Sequence, residues 1–160
     1  MDFKEVILSQ IKLHPQQEIG YIGKKDKEII VLLLEALNGC NGLLHLYLFN
    51  EDYPTHQNLK FKKLESYNKN FRLESRLFEQ LFLVDCLDQF EDKSRILKKS
   101  FRSLENSGNL IIIQDKKDFD KNTIFDLVQN SGFVAINDID FLKDKWIINA
   151  KKMHGWGFGI

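Results

Sequence analysis

The order of apolar runs along the chain constrains the fold more than any other feature of the sequence. Residues 43–49, 81–85 and 110–113 are almost continuously apolar. Strands of this kind are typical of parallel sheets, because helices cover both faces of such a sheet. Amphipathic helices are predicted at 91–104, between two of the runs, and at 121–130, after the last. The order therefore predicts an α/β fold with a mostly parallel sheet between two layers of helices.

The C-terminal part of the chain adds an antiparallel strand. Two further apolar segments, 133–141 and 145–151, are joined by only three residues. A connection that short cannot contain a crossover helix, so the two strands are predicted to form an antiparallel hairpin. Residues 59–64 are mixed in polarity, which favours a strand near an edge of the sheet. We expect one three-layer, Rossmann-like domain over residues 1–160.

The N-terminal part is less regular. Helices are predicted at 3–13 and 26–37, with a short one at 73–80. The connection between 49 and 59 has about ten residues, too few for a full crossover helix. Residues 18–23 contain two glycines and are predicted to form a glycine-containing turn before a helix.

The charge balance narrows the range of partners. The chain has 23 Lys and Arg residues against 23 Asp and Glu, which gives a formal net charge of zero. This argues against a strongly basic nucleic-acid-binding protein. Lysine pairs such as Lys98 and Lys99 are therefore expected to lie on solvated faces. The alternative is a local basic patch that contacts an RNA backbone or another acidic partner.

Cysteine content and apolar run length indicate the compartment. Cys40 and Cys86 are too few for a disulfide framework and are expected to be free thiols in a reducing environment. The run at 29–34 is far shorter than a membrane span. No apolar segment follows the charged start of the chain, so a cytoplasmic protein is expected. The residue usage resembles that of AT-rich bacterial genomes.

Several reaction types lack their sequence signatures. The sequence contains neither a nucleophile elbow nor a P-loop. The histidines have no metal-ligand spacing with each other or with the cysteines, so no metal site is predicted. They are His14, His45, His56 and His154.

The arrangement over residues 80–152 resembles the class I S-adenosylmethionine-dependent methyltransferases. The family shows an apolar strand ending in an acid, a helix, a turn with glycine, an aliphatic strand, a second helix, Gly-Phe and a terminal hairpin. Here Asp85 ends the first of these strands, Gly108 precedes the second, and Gly132-Phe133 precedes the hairpin. The resemblance implies S-adenosylmethionine as cofactor and methyl transfer as the reaction.

The family's first motif places an acid before a glycine-rich turn. Glu18, Gly20, Tyr21 and Gly23 are similar to a reduced form of this motif. The resemblance implies that they contact the cofactor, with Glu18 near its methionine end. Lys24 and its neighbour Lys25 follow at once, and positive charge at a helix start would suit a phosphate, so another nucleotide is a further alternative.

The resemblance implies further cofactor contacts at the ends of later strands. Glu51 or Asp52 would hold the ribose hydroxyls, since a carboxylate accepts two hydrogen bonds from a vicinal diol. Glu65 and Ser66 would lie near the adenine. Asp85, at the end of a central parallel strand, faces the crevice where such sheets bind ligands and is the candidate catalytic residue. It would orient or deprotonate the methyl acceptor, or it is a structural residue of the turn.

Two functions follow as hypotheses. One is a small methyltransferase that acts on an unknown acceptor. The other is a non-catalytic protein-binding or assembly module on the same fold. Glycines alternate with Trp156 and Phe158 in the tail 154–160, which we expect to pack on its own domain, to join a homodimer or to bind another protein.

Overall fold

The computed structural model describes residues 2–139 and 142–153, and the tail with Trp156 and Phe158 lies outside the described residues. Strands and helices alternate along most of this length. The helices are α1 (Phe3–Ser9), α2 (Lys27–Asn38), α3 (Lys93–Ser103) and α4 (Lys121–Asn130). The strands are β1 (Glu18–Gly23), β2 (Leu43–Phe49), β3 (Leu59–Leu64), β4 (Phe78–Val84), β5 (Leu104–Asp115), β6 (Val134–Asp138) and β7 (Lys145–Lys151).

The seven strands form one sheet in the order β3-β2-β1-β4-β5-β7-β6. The first five positions of this order are parallel, while β7 runs antiparallel to both β5 and β6. The strand order reverses between β1 and β4: the chain leaves β1 toward β2 on one side and leaves β4 toward β5 on the other. The loops after these two strands therefore diverge and leave a crevice at the carboxyl ends of the strands. The predicted mostly parallel sheet with a terminal antiparallel hairpin is confirmed.

Each face of the sheet is covered by a different set of helices. Helices α1 and α2 bury Ile7, Ile29 and Leu33 against one face. Helices α3 and α4 bury Leu97 and Ile124 against the other. The sheet is thus the middle layer of three, as the continuously apolar strands predict. Within residues 2–139 and 142–153, no helix is long and apolar enough to span a membrane.

Two segments differ from their predicted structure. Residues 18–23 form β1, near the centre of the sheet, rather than a turn. The glycines that suggest a turn are there because β4 packs too closely on β1 for larger side chains. Residues 73–77 contain no helix, and β4 begins at Phe78, which is fully buried. The predicted helix at 73–80 was wrong because the last residues of this segment, 78–80, pair with neighbouring strands as the start of β4.

The helix starts follow the sequence more closely. Asp2 and Asp26 accept hydrogen bonds from the amides of Glu5 and Ile29 and so cap α1 and α2. Asp92 caps α3 in the same way. Cys86 is buried, and both it and Cys40 are free thiols.

Candidate functional site at the carboxyl edge

The carboxyl ends of β1 to β4 meet at one side of the sheet, which we call the carboxyl edge. Because β7 is antiparallel, its first residue Lys145 lies there too. Open α/β sheets bind their ligands at this edge. The loops that form it contain residues 23–26, 50–52, 65–67 and 85–88.

The loop between β1 and α2 has all three of its central amides hydrogen-bonded within the protein. The amide of Lys24 donates to the carbonyl of Val84 at 3.0 Å. That of Lys25 donates to the Glu51 carboxylate at 3.2 Å, and that of Asp26 to the Tyr21 hydroxyl at 3.1 Å. Free amides are what a loop before a helix offers to a ligand, and these three are already engaged.

Tyr21 occupies the interior of this loop. Its side chain is fully buried, and its hydroxyl donates to the Lys24 carbonyl at 2.5 Å. Burial raises the pKa of the phenol well above its ordinary value, so it stays neutral. Tyr21 stands two residues before Gly23, the glycine that begins the loop.

The two glycines of β1 are explained by strand packing. A Cβ on Gly23 would lie 2.0 Å from the Val84 carbonyl oxygen, and its φ of +144° disfavours other residues. A Cβ on Gly20 would lie 2.7 Å from Leu81 Cδ1. Gly23 reaches the carboxyl edge, whereas Gly20 lies in the middle of the strand.

Glu18 lies at the opposite side of the sheet, at the start of β1. Its carboxylate is 3.0 Å from Nε2 of His45, which is buried. The structure therefore does not bring Glu18 together with Gly23 or Glu51. The placement differs from the expectation because residues 18–23 are strand β1 and not a turn, so Glu18 lies at the amino end of that strand.

Glu51 and Asp52 follow β2, as predicted, but both are engaged. Glu51 accepts the Lys25 amide. The Asp52 carboxylate pairs with Lys63 at 3.2 Å, and its carbonyl accepts from Nζ of Lys25 at 3.0 Å. Lys25 thus connects the loop after β1 to the loop after β2.

Glu65 and Ser66 follow β3 and bond within their own segment. Glu65 pairs with Lys69 at 2.7 Å, which lowers the pKa of the carboxyl group. The Ser66 hydroxyl accepts from the Asn68 amide at 3.1 Å. Both residues are exposed.

Tyr67 fills the space between the β2 and β4 ends. Its ring stacks on Phe49 with 3.8 Å between centroids and meets Phe90 edge-on at 5.1 Å. Burial raises the pKa of its phenol, and the thiol of Cys86 and the Glu51 carboxylate add to this. An aromatic ring of the protein itself therefore lies where the loops after β2, β3 and β4 converge.

Asp85 is at the centre of the edge, immediately after β4. It adopts a φ of +47°, in the left-handed region that aspartate enters more readily than most residues. Its Oδ1 accepts from the Asp115 amide at 3.1 Å, and its Oδ2 forms an ion pair with Lys145. Only 18% of the Asp85 side chain and 27% of the Lys145 side chain are exposed. The Asp85 carboxylate is thus held in place, and its charge is balanced by Lys145 at the start of β7.

Asp88 is tied to the same edge through Gln114. The Gln114 amide donates to Asp88 Oδ1 at 2.9 Å, and its oxygen accepts from the Leu87 amide at 3.1 Å. Among the described residues, no three His, Cys, Asp or Glu side chains are grouped so as to hold a metal ion.

Of the side chains that close the edge, sequence reasoning singled out Tyr21, as a cofactor contact, and missed three others. Those three are Tyr67, Gln114 and Lys145. They come from segments far away in sequence, and their partners become visible only when the strand order is known.

A sheet in the order 3-2-1-4-5-7-6 with an antiparallel seventh strand and its polar groups at the carboxyl edge defines the class I S-adenosylmethionine-dependent methyltransferase fold. Solved structures of such enzymes superpose closely on the chain. One is phosphoethanolamine N-methyltransferase 2 of Haemonchus contortus in complex with S-adenosylmethionine, with 11% identity and a TM-score of 0.72. The match covers 94% of this chain and 52% of the enzyme, so the chain spans about half of that protein.

Two further matches cover most of both chains. An S-adenosylmethionine-dependent methyltransferase of Mesorhizobium loti has 10% identity and a TM-score of 0.74, over 92% of this chain and 96% of that one. A proposed methyltransferase of Haloferax volcanii, in complex with the Trm112 methyltransferase activator, has 8% identity and a TM-score of 0.71, over 94% and 88%. At these identities the likeness shows the fold alone. No family model and no curated protein sequence matches the chain.

Proposed function

We propose that this chain is a methyltransferase-fold protein that acts as a binding module and does not transfer methyl groups. Residues 1–160 would form this module as one domain. The observation that carries the proposal is the closed loop after β1. The amides of Lys24, Lys25 and Asp26 have protein partners, and the Tyr21 phenol occupies the loop's interior.

The electrostatics of the edge support the same proposal. S-adenosylmethionine carries a positively charged sulfonium, which carboxylates stabilise. Of the candidate carboxylates, Asp85 pairs with Lys145, Asp52 with Lys63 and Glu65 with Lys69. Glu51 accepts a backbone amide instead. To admit the cofactor, the edge would have to give up these contacts, so the residues present do not fit it well.

Methyl transfer remains the second candidate, and one observation favours it. Asp85 is held by two hydrogen-bonded contacts at the centre of the edge, where open α/β sheets bind their ligands. Under this candidate Asp85 would face the acceptor. The cofactor contacts at the edge would come from Gly23, Glu51, Asp52, Glu65 and Ser66.

A binding measurement separates the two candidates. Thermal unfolding of the full chain is followed with about 1 mM S-adenosylmethionine, S-adenosylhomocysteine, ATP or NAD. A ligand at 100 times its Kd would stabilise the protein by about 2.7 kcal/mol, which corresponds to a Tm rise of roughly 5 to 10 °C. We expect less than about 1 °C for every ligand, because the loop amides are engaged.

Control variants keep this result interpretable. Glu51→Gln removes a charge from the edge while leaving an oxygen to accept the Lys25 amide, and Glu28→Gln removes a charge from the exposed part of α2. A saturable Tm rise with S-adenosylmethionine that Glu51→Gln abolishes and Glu28→Gln preserves would overturn the proposal and establish a working cofactor site.

A further inference from the structure

Helix α3 carries positive charge that nothing in its own sequence balances. Its eleven residues, KSRILKKSFRS, contain five lysines or arginines and no acid. The other long helices are mixed: α2 contains one lysine and two glutamates, and α4 one lysine and one aspartate. The zero net charge of the whole chain therefore hides a strongly uneven distribution.

The placement of these charges opposes helix stability. Arg95 lies three and four residues before Lys98 and Lys99, and Arg102 lies four and three residues after them. Like charges at these spacings are neighbours on the helix surface and repel each other. Lys93 and Arg95 also stand in the first turn, where the helix dipole disfavours cations. Lys93 and Lys99 donate to carbonyls outside the helix, and Arg102 suits its last turn. Helix stability gives no reason for Arg95 and Lys98.

Four of these cations line one surface groove, which we call the basic groove. It has a volume of about 550 Å³ and is formed by Arg95, Lys98, Lys99 and Arg102. Of the lining residues, only Asp92 is acidic, and its carboxylate is engaged in capping α3 through the Arg95 amide at 3.0 Å. With the described residues, Arg95, Lys98 and Arg102 form no ion pair within 4.0 Å.

Lys99 connects the basic groove to a second cavity. Its Nζ donates to Asn70 Oδ1 at 2.7 Å and lies 4.4 Å from the centre of the Phe71 ring. Partial burial lowers the pKa of Lys99, and the positive charges of Arg95 and Arg102 lower it further. Lys99, Arg95 and Arg102 thus lie close enough together to repel one another electrostatically.

The second cavity is aromatic. It measures about 130 Å³, shares Asn70, Asp92, Arg95 and Lys99 with the basic groove, and is lined by Tyr67, Phe71 and Phe90 and by the acidic Glu91. Asn68 and Asn70 also line it; their side-chain oxygens accept from the Glu91 amide and from Lys99, which leaves the NH₂ groups to donate to the edge of a planar ring. A row of cations thus runs directly into a pocket with aromatic walls.

We propose that the basic groove and the aromatic cavity together bind single-stranded nucleic acid. Backbone phosphates lie against Arg95, Lys98 and Arg102, and a base enters the cavity beside Phe71. A positive groove that follows the backbone and aromatic rings that contact bases are the two components of such sites. The exposed positions of α3 are all polar, which disfavours insertion into a lipid surface. The inference names a partner for the proposed module, and it rests on α3 and on the aromatic residues beside it, of which Tyr67 also lies at the carboxyl edge.

Fluorescence anisotropy of the full chain with labelled probes tests the proposal. The probes are a single-stranded RNA of about 20 nucleotides, the DNA of the same sequence, the duplex, and polyglutamate. At about 50 mM salt we expect saturable binding of a single strand with a Kd of roughly 1 to 100 µM. Three phosphate contacts predict a slope of log K against log salt near −2 for a single strand. The RNA and DNA arms show which sugar is preferred.

A charge-reversal variant locates the site. Arg95→Glu with Lys98→Glu should weaken binding at least about tenfold and flatten the salt slope by about 1.4, since two contacts are lost. Lys60→Glu with Lys62→Glu on the exposed side of β3 changes the net charge equally and should leave the affinity within about twofold. The α3 variant should melt no lower than the wild type, because it relieves like-charge repulsion.

Three outcomes would overturn the proposal. They are no saturable binding of any single strand up to about 1 mM protein, equal losses in both double variants, and polyglutamate binding as tight as the single strands. Each can occur whether or not S-adenosylmethionine binds. Failure of this inference is therefore distinguishable from failure of the proposed function.

Discussion

The two halves of the sheet are built by different means. From β4 onward, helices α3 and α4 form regular crossovers between strands. Before β4, the connections 50–58 and 65–77 contain no helix. Aromatic side chains cover that part of the sheet instead, with Tyr67 stacked on Phe49.

The difference shows which part of such a fold is free to change. The crossovers of the second half hold the central strands, so altering them would expose the core. The loops of the first half end at the carboxyl edge, where the proposed function requires no free amides. Tyr21 and Lys25 form hydrogen bonds that hold those loops from within the protein. Four sets of substitutions and one exchange measurement test this contrast.

The largest effect is expected at the glycine where the halves meet. A Cβ at Gly23 would strike backbone, the Val84 carbonyl at 2.0 Å, whereas one at Gly132 would meet the Phe101 ring at 3.3 Å. Both have positive φ. Gly23→Ala should lose about 3 kcal/mol or more and Gly132→Ala about 1 to 2 kcal/mol, measured by urea unfolding.

Gly39→Ala is the matched control for these substitutions. Gly39 has a φ of −66°, and its added Cβ would lie 3.5 Å from the nearest atom. It should gain about 0.4 to 1 kcal/mol. Equal losses at Gly23 and Gly132 would contradict the view that β1 and β4 are locked backbone against backbone.

The second effect concerns the filled loop. Tyr21→Phe removes the hydroxyl that accepts from Asp26 and donates to the Lys24 carbonyl. Leaving these buried groups without a partner should cost about 1 to 3 kcal/mol in urea unfolding. Tyr53→Phe, whose hydroxyl has no hydrogen bond with the described residues, should change stability by less than about 0.5 kcal/mol. Similar values for both would show that the phenol does not hold the loop.

The third effect lies at the carboxyl edge of the second half. Lys145→Met, Asp85→Asn and the double variant form a cycle that isolates their ion pair. We expect a coupling energy of about 1 kcal/mol, because both groups are mostly buried. A coupling energy below about 0.3 kcal/mol would mean that Lys145 does not balance the charge of Asp85.

The smallest effect is expected at the opposite edge. Burial raises the pKa of Glu79, against the lowering effect of the Glu18 amide that it binds at 2.8 Å. A raised carboxyl pKa contributes stability below the unfolded pKa, and this is lost as the pH rises through the folded pKa. Glu79→Gln should therefore be more stable than wild type at pH 7 by a few tenths of a kcal/mol, a gain absent at about pH 4. A loss at pH 7 would contradict this sign.

The sequence predicted the second half well because its signals are local. Apolar runs bounded by caps and glycines placed α4 and β7 at their observed limits. In the first half, β1 was mistaken for a turn because its glycines are required by close packing against β4, a strand about 60 residues away in sequence. The predicted helix at 73–80 failed for a similar reason, since Phe78 pairs in the sheet.

The candidate site was predicted only in part. The positions of Glu51, Asp52, Glu65, Ser66 and Asp85 after their strands follow from strand ends, which apolar runs define. Most of their partners do not, because Lys25, Lys63 and Lys145 come from other segments of the chain; only Glu65 and Ser66 bond within their own loop. The net charge likewise gave no sign of the basic groove, since a sum over the chain carries no spatial information.

Hydrogen exchange of the loop amides tests the central claim most directly. The amides of Lys24, Lys25 and Asp26 are assigned by NMR, and their exchange is followed in the free protein and with S-adenosylmethionine. Because each amide has a partner within the protein, we expect all three to be protected without ligand and unchanged when it is added. Fast exchange in the free protein that slows on addition of S-adenosylmethionine would show an open loop that closes on its cofactor, and would contradict the account.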